Sequence, residues 1–125
     1  MRSLLTITLC LLLTACSATQ RSDTTKEKPV LTGILWKLTK IQSMDGSTDQ
    51  PRAPGLYTLE FHKDGSVAIR ADCNRGRGNW ASETADQLNI TQLITTRAIC
   101  IPPSLHDQLI SDLNDTRSCT LNGGK

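Results

Sequence analysis

Hydrophobic and polar positions along the middle of the chain follow the two-residue period of β-strands. Residues 34–38 alternate in this way, with apolar side chains on one face. Two further short runs, 56–62 and 67–71, are separated by Asp64 and Gly65, and Asp-Gly between alternating runs predicts a β-hairpin. Additional strands are predicted over residues 79–82, 87–90 and 116–121.

One helix is indicated near the end of the chain. Ser104 can cap its first turn, and Asp107 lies three residues later, where it can complete a capping box. Leu105, Leu109 and Leu113 recur every four residues, so this stripe must pack on an apolar surface. The whole pattern predicts an α+β domain, a curved and mostly antiparallel sheet with one helix packed on its apolar face.

The last residues have a composition that normally begins a hairpin. Asn122, Gly123 and Gly124 are turn residues, and Lys125 follows at once. We therefore expect a C-terminally truncated domain over residues 31–125, whose sheet keeps an unpaired edge. Such an edge favours aggregation or the addition of a strand by another chain, and the sequence leaves open which explanation applies.

The N-terminal residues have the pattern of an export signal. An apolar run over residues 4–13 has the length of a signal-peptide core and is too short to span a bilayer as a helix. It is followed by Ala15 and Cys16, which resembles the lipobox of bacterial lipoproteins, whose cysteine is acylated before cleavage. We predict a signal peptide over residues 1–15 and a lipidated Cys16 that begins a flexible tether of roughly 20 Å over residues 16–30.

The predicted anchor defines a location. Two or more acyl chains hold a protein stably on a membrane, so the membrane is the first expected partner. Ser17 follows Cys16 and is not the aspartate that retains lipoproteins in the inner membrane of enteric-type bacteria. The resemblance to lipoproteins therefore implies the cell envelope, at the periplasmic face of the outer membrane.

Net charge and aromatic content argue against a nucleic-acid partner. Loss of the signal peptide removes Arg2 and lowers the formal charge from +2 to +1, which gives no electrostatic reason to bind nucleic acid or another polyanion. Four aromatic residues are too few to form a platform on which bases stack.

Three segments carry recognisable motifs. They are Leu-Trp-Lys-Leu at 35–38, Asp-Cys-Asn-Arg-Gly-Arg-Gly-Asn-Trp at 72–80, and the segment 96–107, which runs from Thr-Arg-Ala-Ile-Cys into the helix start. In their order and spacing these segments resemble the META domain of heat-inducible HslJ-type lipoproteins and related bacterial envelope proteins. The resemblance extends from about residue 33 to residue 124.

The resemblance to the META domain has several implications. It implies a curved antiparallel sheet with a helix, no established catalytic activity, and a link to envelope stress and to tolerance of some antibiotics. Members normally continue with one or two strands after the glycine turn near Gly124, and related sequences often carry an aromatic residue where this chain has Cys119.

Three cysteines belong to the mature domain. In an oxidising compartment at least one disulfide is expected. Cys73 and Cys100 lie in the motif segments, so the resemblance implies that these two pair, while pairings through Cys119 remain the alternative. Cys119 is then expected to be a free, buried, small apolar residue on the face of Leu121.

The segment around Cys73 has two interpretations. As a candidate binding loop it consists of Asp72, Asn74, Arg75, Arg77 and Trp80, in which glycines expose backbone N–H groups to an anion and arginines add charge. In the structural interpretation Asn74 and the glycines occupy positive-φ positions at a bend or bulge. Asp72 then forms salt bridges with these arginines or with Arg97.

Metal-dependent and catalytic chemistry have weak support in the sequence. His62 and His106 could join the cysteines as zinc ligands or as a nucleophile and its base, yet no close Cys-x-x-Cys or His-x-x-x-His spacing is present. We therefore expect no metal, no cofactor and no catalytic residue.

These observations favour a lipid-anchored, non-catalytic envelope protein. It is expected to support tolerance of envelope stress or antibiotics through contacts with an envelope protein or other envelope components. The alternative is a small anchored inhibitor or ligand-binding module that uses the exposed sheet edge or residues 72–80 as its contact surface. The sequence does not indicate an oligomeric state.

Overall fold

A five-stranded sheet and one helix form the domain, in a computed structural model that describes residues 30–122. The elements are β1 (Leu35–Lys37), β2 (Ile41–Gln42), β3 (Thr48–Asp49), β4 (Tyr57–Phe61), β5 (Ser66–Ala71), β6 (Asn74–Ala81), β7 (Asn89–Thr95) and α1 (His106–Asp115). The predicted signal peptide, the lipidated Cys16, nearly all of the tether and the Gly123-Gly124 turn lie outside the described residues.

The strands are ordered β1-β4-β5-β6-β7, and every neighbouring pair is antiparallel. The sheet is open, and within residues 30–122 its two edge strands, β1 and β7, each pair with a single neighbouring strand. Helix α1 packs against β7 and β5. The predicted α+β class, a mostly antiparallel sheet with one packed helix, is confirmed.

The β4–β5 hairpin forms as the alternating pattern predicts. Val67 and Ile69 are buried on the face of β5 that meets the helix. At the turn, Gly65 has a φ of +85°, a conformation that a residue without a Cβ adopts freely. The carboxylate of Asp64 accepts the backbone N–H of Ser66 at 2.9 Å, which closes the turn locally.

The core lies between the inner face of the sheet and the helix. It consists of Leu31, Tyr57, Phe61, Val67, Ile69, Ala71, Leu88, Ile90, Leu109 and Leu113. Trp80 packs on Phe61 edge-to-face with ring centroids 5.3 Å apart, and its indole N–H donates to the carbonyl of His62 at 2.9 Å. The large aromatic side chains therefore serve the core.

The interpretation of residues 72–80 as a binding loop is wrong, because most of this segment is strand β6, whose end overlaps the strand predicted over residues 79–82. Gly76 and Gly78 lie where β7 approaches closely. A Cβ on Gly76 would be 2.6 Å from the Cγ2 of Thr95 and 2.9 Å from the carbonyl oxygen of Ile94. Glycine at these positions thus allows two strands to approach closely. In the sequence alone, such glycines cannot be distinguished from the glycines of a loop.

Strand β7 contains a bulge opposite Gly78. The register passes from the pair Arg77–Ile94 to the pair Asn79–Thr91, so one residue of β6 faces two residues of β7. Gln92, inside the bulge, has a φ of +53°, and its side-chain carbonyl accepts the amide of Asn79 at 2.6 Å.

Other predicted boundaries also differ from the structure. The strand predicted over residues 116–121 is reduced to a single bridge between Ser118 and Gln87. The short hairpin of β2 and β3 was not predicted, because its residues are mostly polar and exposed and carry no clear period. The strand predicted at 87–90 lies further on, at β7.

The start of helix α1 corrects the predicted capping box. Leu105 is the N-cap and its side chain makes no capping bond, while the hydroxyl of Ser104, the predicted cap, accepts the N–H of His106 at 3.3 Å. The carboxylate of Asp107 contacts the ring of His106 at 3.1 Å instead of returning to the helix start. The apolar stripe is confirmed, because Leu109 and Leu113 are buried against the sheet.

Candidate functional site

The turn between β5 and β6 forms a corner that is covalently tied to the chain after β7. Cys73 and Cys100 form a disulfide with their Cα atoms 5.5 Å apart, which is the pairing that the motif resemblance implies. Cys119 is a free cysteine and is partly buried against the core. We call the region around this disulfide the Cys73–Cys100 corner.

Asn74 holds the second side of the corner. It is only 1% exposed, and its side-chain oxygen accepts the N–H of Ala98 and the hydroxyl of Thr96, both at 2.8 Å. Its amide donates to the carbonyl of Ala98 at 3.0 Å. The expected positive φ at Asn74 is wrong, since the residue with positive φ in this turn is Asp72 (60°). Asn74 instead forms hydrogen bonds to both backbone groups of Ala98 and so joins the start of β6 to the segment after β7.

Asp72 forms a buried ion pair with a residue that sequence analysis did not identify. Arg52 donates to its two carboxylate oxygens at 2.7 and 2.9 Å, in the parallel geometry that favours arginine–carboxylate pairs. The Asp72 side chain is 1% exposed and that of Arg52 is 32% exposed. The expected pairing of Asp72 with Arg75, Arg77 or Arg97 is therefore wrong.

The same ion pair connects three parts of the fold. Arg52 also donates to the carbonyl of Ile101 at 2.7 Å. The hydroxyl of Tyr57, in β4, lies 3.4 Å from a carboxylate oxygen of Asp72 and accepts the backbone N–H of Leu105 at 2.8 Å. The loop before β4, the β5–β6 turn and the helix start are thus joined by one polar network.

The environment of Asp72 determines its protonation. Burial alone would raise the pKa of the carboxyl group. Hydrogen bonds from Ser104, Arg52 and Tyr57, together with the positive charge of Arg52, outweigh this effect, so the pKa of Asp72 lies below its usual value. The carboxylate therefore remains charged at neutral pH inside the protein.

The five residues of the predicted binding loop separate between the two faces of the sheet. Asp72, Asn74 and Trp80 are directed into the fold and are used by the contacts described above. Arg75 and Arg77 are exposed on the outward face of β6. The structure therefore does not bring the five together as one loop, and only the two arginines remain available to a ligand.

A surface cavity of about 320 Å³ lies beside the Cys73–Cys100 corner. Its lining includes Arg97, Cys100, Ser104, His106 and Asp107. The Nε2 atom of His106 is buried and has no hydrogen-bond partner among residues 30–122. The lining of this cavity therefore combines a guanidinium group, an imidazole and a carboxylate, all of which can form hydrogen bonds.

The remaining reactive groups have ordinary environments. Burial, assisted by the negative charge of Asp86, raises the pKa of the Cys119 thiol, which reduces its reactivity. In the part of the chain that the structure covers, no three His, Cys, Asp or Glu side chains form a group that could hold a metal ion. None of the described helices is long and apolar enough to cross a membrane.

The family model of the META domain matches residues 29–125. The chain belongs to the META domain family. The match includes all three motif segments and confirms the resemblance inferred from them. No curated protein and no solved structure shows a significant match to the chain. The META domain is not a known enzyme family.

Removal of the disulfide of this META domain should destabilise it strongly. The bond joins residues 27 positions apart, so the double variant Cys73→Ser/Cys100→Ser should lose roughly 3–4 kcal/mol of unfolding free energy in the chain-entropy description. Urea unfolding followed by circular dichroism measures this change. The single variant Cys119→Ser is the control, and equal midpoints for the wild type and the double variant would contradict the prediction.

The ion pair of Asp72 should make the META domain sensitive to acid. Because the folded-state pKa of Asp72 is depressed, its contribution to stability is complete above the unfolded-state value of about 4 and is lost as pH falls through the folded-state pKa. Asp72→Asn should therefore cost about 2–4 kcal/mol at pH 7, and the difference from wild type should shrink below pH 4.

Urea unfolding of both proteins between pH 2 and pH 7 measures this convergence. Asp45 and Asp64 also have pKa values lowered by hydrogen bonds from nearby serines. They are present in both proteins, so they cancel in the difference. A constant difference across this pH range would show that the charge of Asp72 does not stabilise the fold.

Proposed function

We propose that this META-domain protein is a lipid-anchored component of the bacterial cell envelope that acts through contacts and not through catalysis. Its lipid is attached to Cys16, and it faces the periplasm from the outer membrane. In this position it supports the tolerance of the envelope to stress or to antibiotics.

The observation that carries the proposal is the division of polar groups between the two faces of the sheet. The buried polar residues of the described chain, Asp72 and Asn74, are occupied by internal hydrogen bonds that hold the fold together. The exposed cations Arg75 and Arg77 face outward and are available for contact with another molecule. This arrangement favours a binding surface over a reaction centre.

The disulfide supports a location outside the cytoplasm. Disulfides persist in oxidising compartments such as the periplasm and are rare where thiols are kept reduced. The Cys73–Cys100 bond ties the β5–β6 turn to the segment after β7, so such a compartment adds to the stability of this domain. This requirement agrees with export by the predicted signal peptide.

A second candidate is a small anchored inhibitor or ligand-binding module. It is favoured by the segment around Cys100, where Ile99 is fully exposed and Ile101 is 76% exposed. The disulfide fixes the backbone between these two apolar side chains. A rigid segment loses little conformational freedom on binding, so it is well suited to contact a protein partner.

The anchor is tested by the variant Cys16→Ser. Wild-type protein should incorporate labelled palmitate and sediment with the outer membrane, whereas Cys16→Ser should do neither, because the acylated sulfur is absent. Cys10→Ser, which changes a cysteine inside the predicted signal peptide, should behave as wild type. Unlabelled wild-type protein in the soluble periplasmic fraction would show that the lipid anchor is wrong.

The second candidate is tested by an affinity pull-down from solubilised envelopes. An inhibitor or binding module should retain one protein in stoichiometric amount, and Ile99→Ser/Ile101→Ser should lose it. Met44→Ser, which changes an equally exposed side chain in the β2–β3 turn, is the control. Retention of no stoichiometric protein by the wild type would rule out this candidate.

A further inference from the structure

The outward face of the sheet concentrates positive charge that the near-neutral net charge does not reveal. Lys37 pairs with Thr58, Thr58 with Arg70, and Arg70 with Arg75 across four adjacent strands. Directly paired residues of a sheet point to the same face, and neighbouring strands are about 4.8 Å apart. Three cations therefore lie in one row across the outward face.

Arg70 and Arg75 form a like-charged pair that the described chain does not neutralise. Like charges on directly opposed positions of two strands destabilise a sheet. The Nε of Arg70 and an Nη of Arg75 both lie near the carbonyl oxygen of Asp72, at 3.4 and 3.5 Å. Within residues 30–122 neither arginine forms an ion pair with a carboxylate. An external anion would therefore relieve this repulsion.

A shallow groove beside the row combines charge with apolar surface. Arg77 pairs with Ile94, which is 62% exposed, and both line a groove of about 320 Å³ together with Arg75 and Thr96. Glu60 also lies on this face, diagonally next to Lys37 and Arg70, but it is separated from Arg77 by the strand that carries Ala68, or about 10 Å. The groove thus offers two guanidinium groups next to an exposed hydrocarbon side chain.

This combination matches an amphiphile with an anionic headgroup. Guanidinium groups bind phosphate through paired hydrogen bonds, and an exposed isoleucine can contact the first methylene groups of an acyl chain. A nucleic acid is disfavoured, because Trp36 and Trp80 pack against the core and cannot stack on bases.

We propose that the outward face, formed by Lys37, Arg70, Arg75, Arg77 and Ile94, binds the phosphate headgroups of anionic phospholipids. This inference rests on the proposed function, which places the domain next to a membrane. The predicted tether of 15 residues, over positions 16–30, has a reach of roughly 20 Å, so the face can return to the lipid surface that holds the anchor. The lipid anchor then defines the location, and the outward face defines the orientation of the domain.

The test uses the exported full chain in micelles of the neutral detergent dodecyl maltoside. In these micelles the binding of added lipid can be measured whether or not the protein carries the lipid anchor. Phosphatidylglycerol or phosphatidylcholine is added to the micelles, and NMR follows the side-chain N–H signals of the arginines. The signals of Arg70, Arg75 and Arg77 should shift saturably with phosphatidylglycerol and remain unchanged with phosphatidylcholine. Glycerol phosphate, the soluble headgroup, should bind more weakly, because it lacks the chain that contacts Ile94.

Two outcomes of this titration would overturn the proposal. Absence of shifts at the three arginines would show that the face does not bind lipid phosphate. Equal affinity for glycerol phosphate and for phosphatidylglycerol would identify a site for free phosphate instead of a lipid site. The experiment with Cys16→Ser stays independent of both outcomes, so failure of the lipid site and failure of the anchor can be distinguished.

Variants give the matched comparison. A cation near an anionic lipid surface contributes about fivefold to affinity, so Arg75→Gln/Arg77→Gln should bind phosphatidylglycerol about thirtyfold more weakly. Lys63→Gln removes one charge at the β4–β5 turn and should retain wild-type affinity. Backbone amide spectra report whether each variant is folded. If the double variant is not folded, Lys37→Gln replaces it, with an expected loss of affinity of about fivefold. Equal losses in Lys63→Gln and Lys37→Gln would contradict a localised site.

Discussion

The ion pair between Asp72 and Arg52 is the interaction on which the rest of the structure depends. A carboxylate buried to this extent would cost about 3–5 kcal/mol if its partner were removed. The pair joins the loop before β4 to the β5–β6 turn. It is linked to the segment that leads into helix α1 through the carbonyl of Ile101 and through the hydroxyl of Tyr57, which accepts the N–H of Leu105. The disulfide at Cys73 follows directly in the chain and ties the same corner covalently to the segment after β7.

The outward charge follows from the same corner through the period of the strand. Asn74 points inward, where its amide bonds the backbone of Ala98 and the hydroxyl of Thr96. Alternation then places Arg75 and Arg77 outward and Gly76 and Gly78 inward, where β7 approaches closely. The segment 74–80 therefore supplies both inward residues that support the fold and outward cations. A shift of the strand register by one residue would turn the inward side chains outward and the cations inward.

The parts of the fold that could be predicted from the sequence are those with a local physical signal. The β4–β5 hairpin, the helical stripe through Leu109 and Leu113 and the α+β class follow from short-range periodicity and turn residues. The pairing of Cys73 with Cys100 came from the resemblance to the META domain and not from spacing. The partner of Asp72 could not be found in this way, since Arg52 lies 20 residues earlier in a loop and only the tertiary fold brings it near. The first part of strand β6 was not predicted, because glycines at a close strand contact have the same composition as a loop.

The alternation along β6 also separates what natural variation can change from what it cannot. A substitution at an inward position of this strand affects a hydrogen bond, a close backbone contact or an aromatic pair, and the fold itself is then at risk. The side chains at positions 75 and 77 contribute little to the stability of the fold, although Arg75 does contact nearby carbonyls. Single changes at positions 75 and 77 of this chain can therefore alter its surface chemistry while the scaffold stays the same.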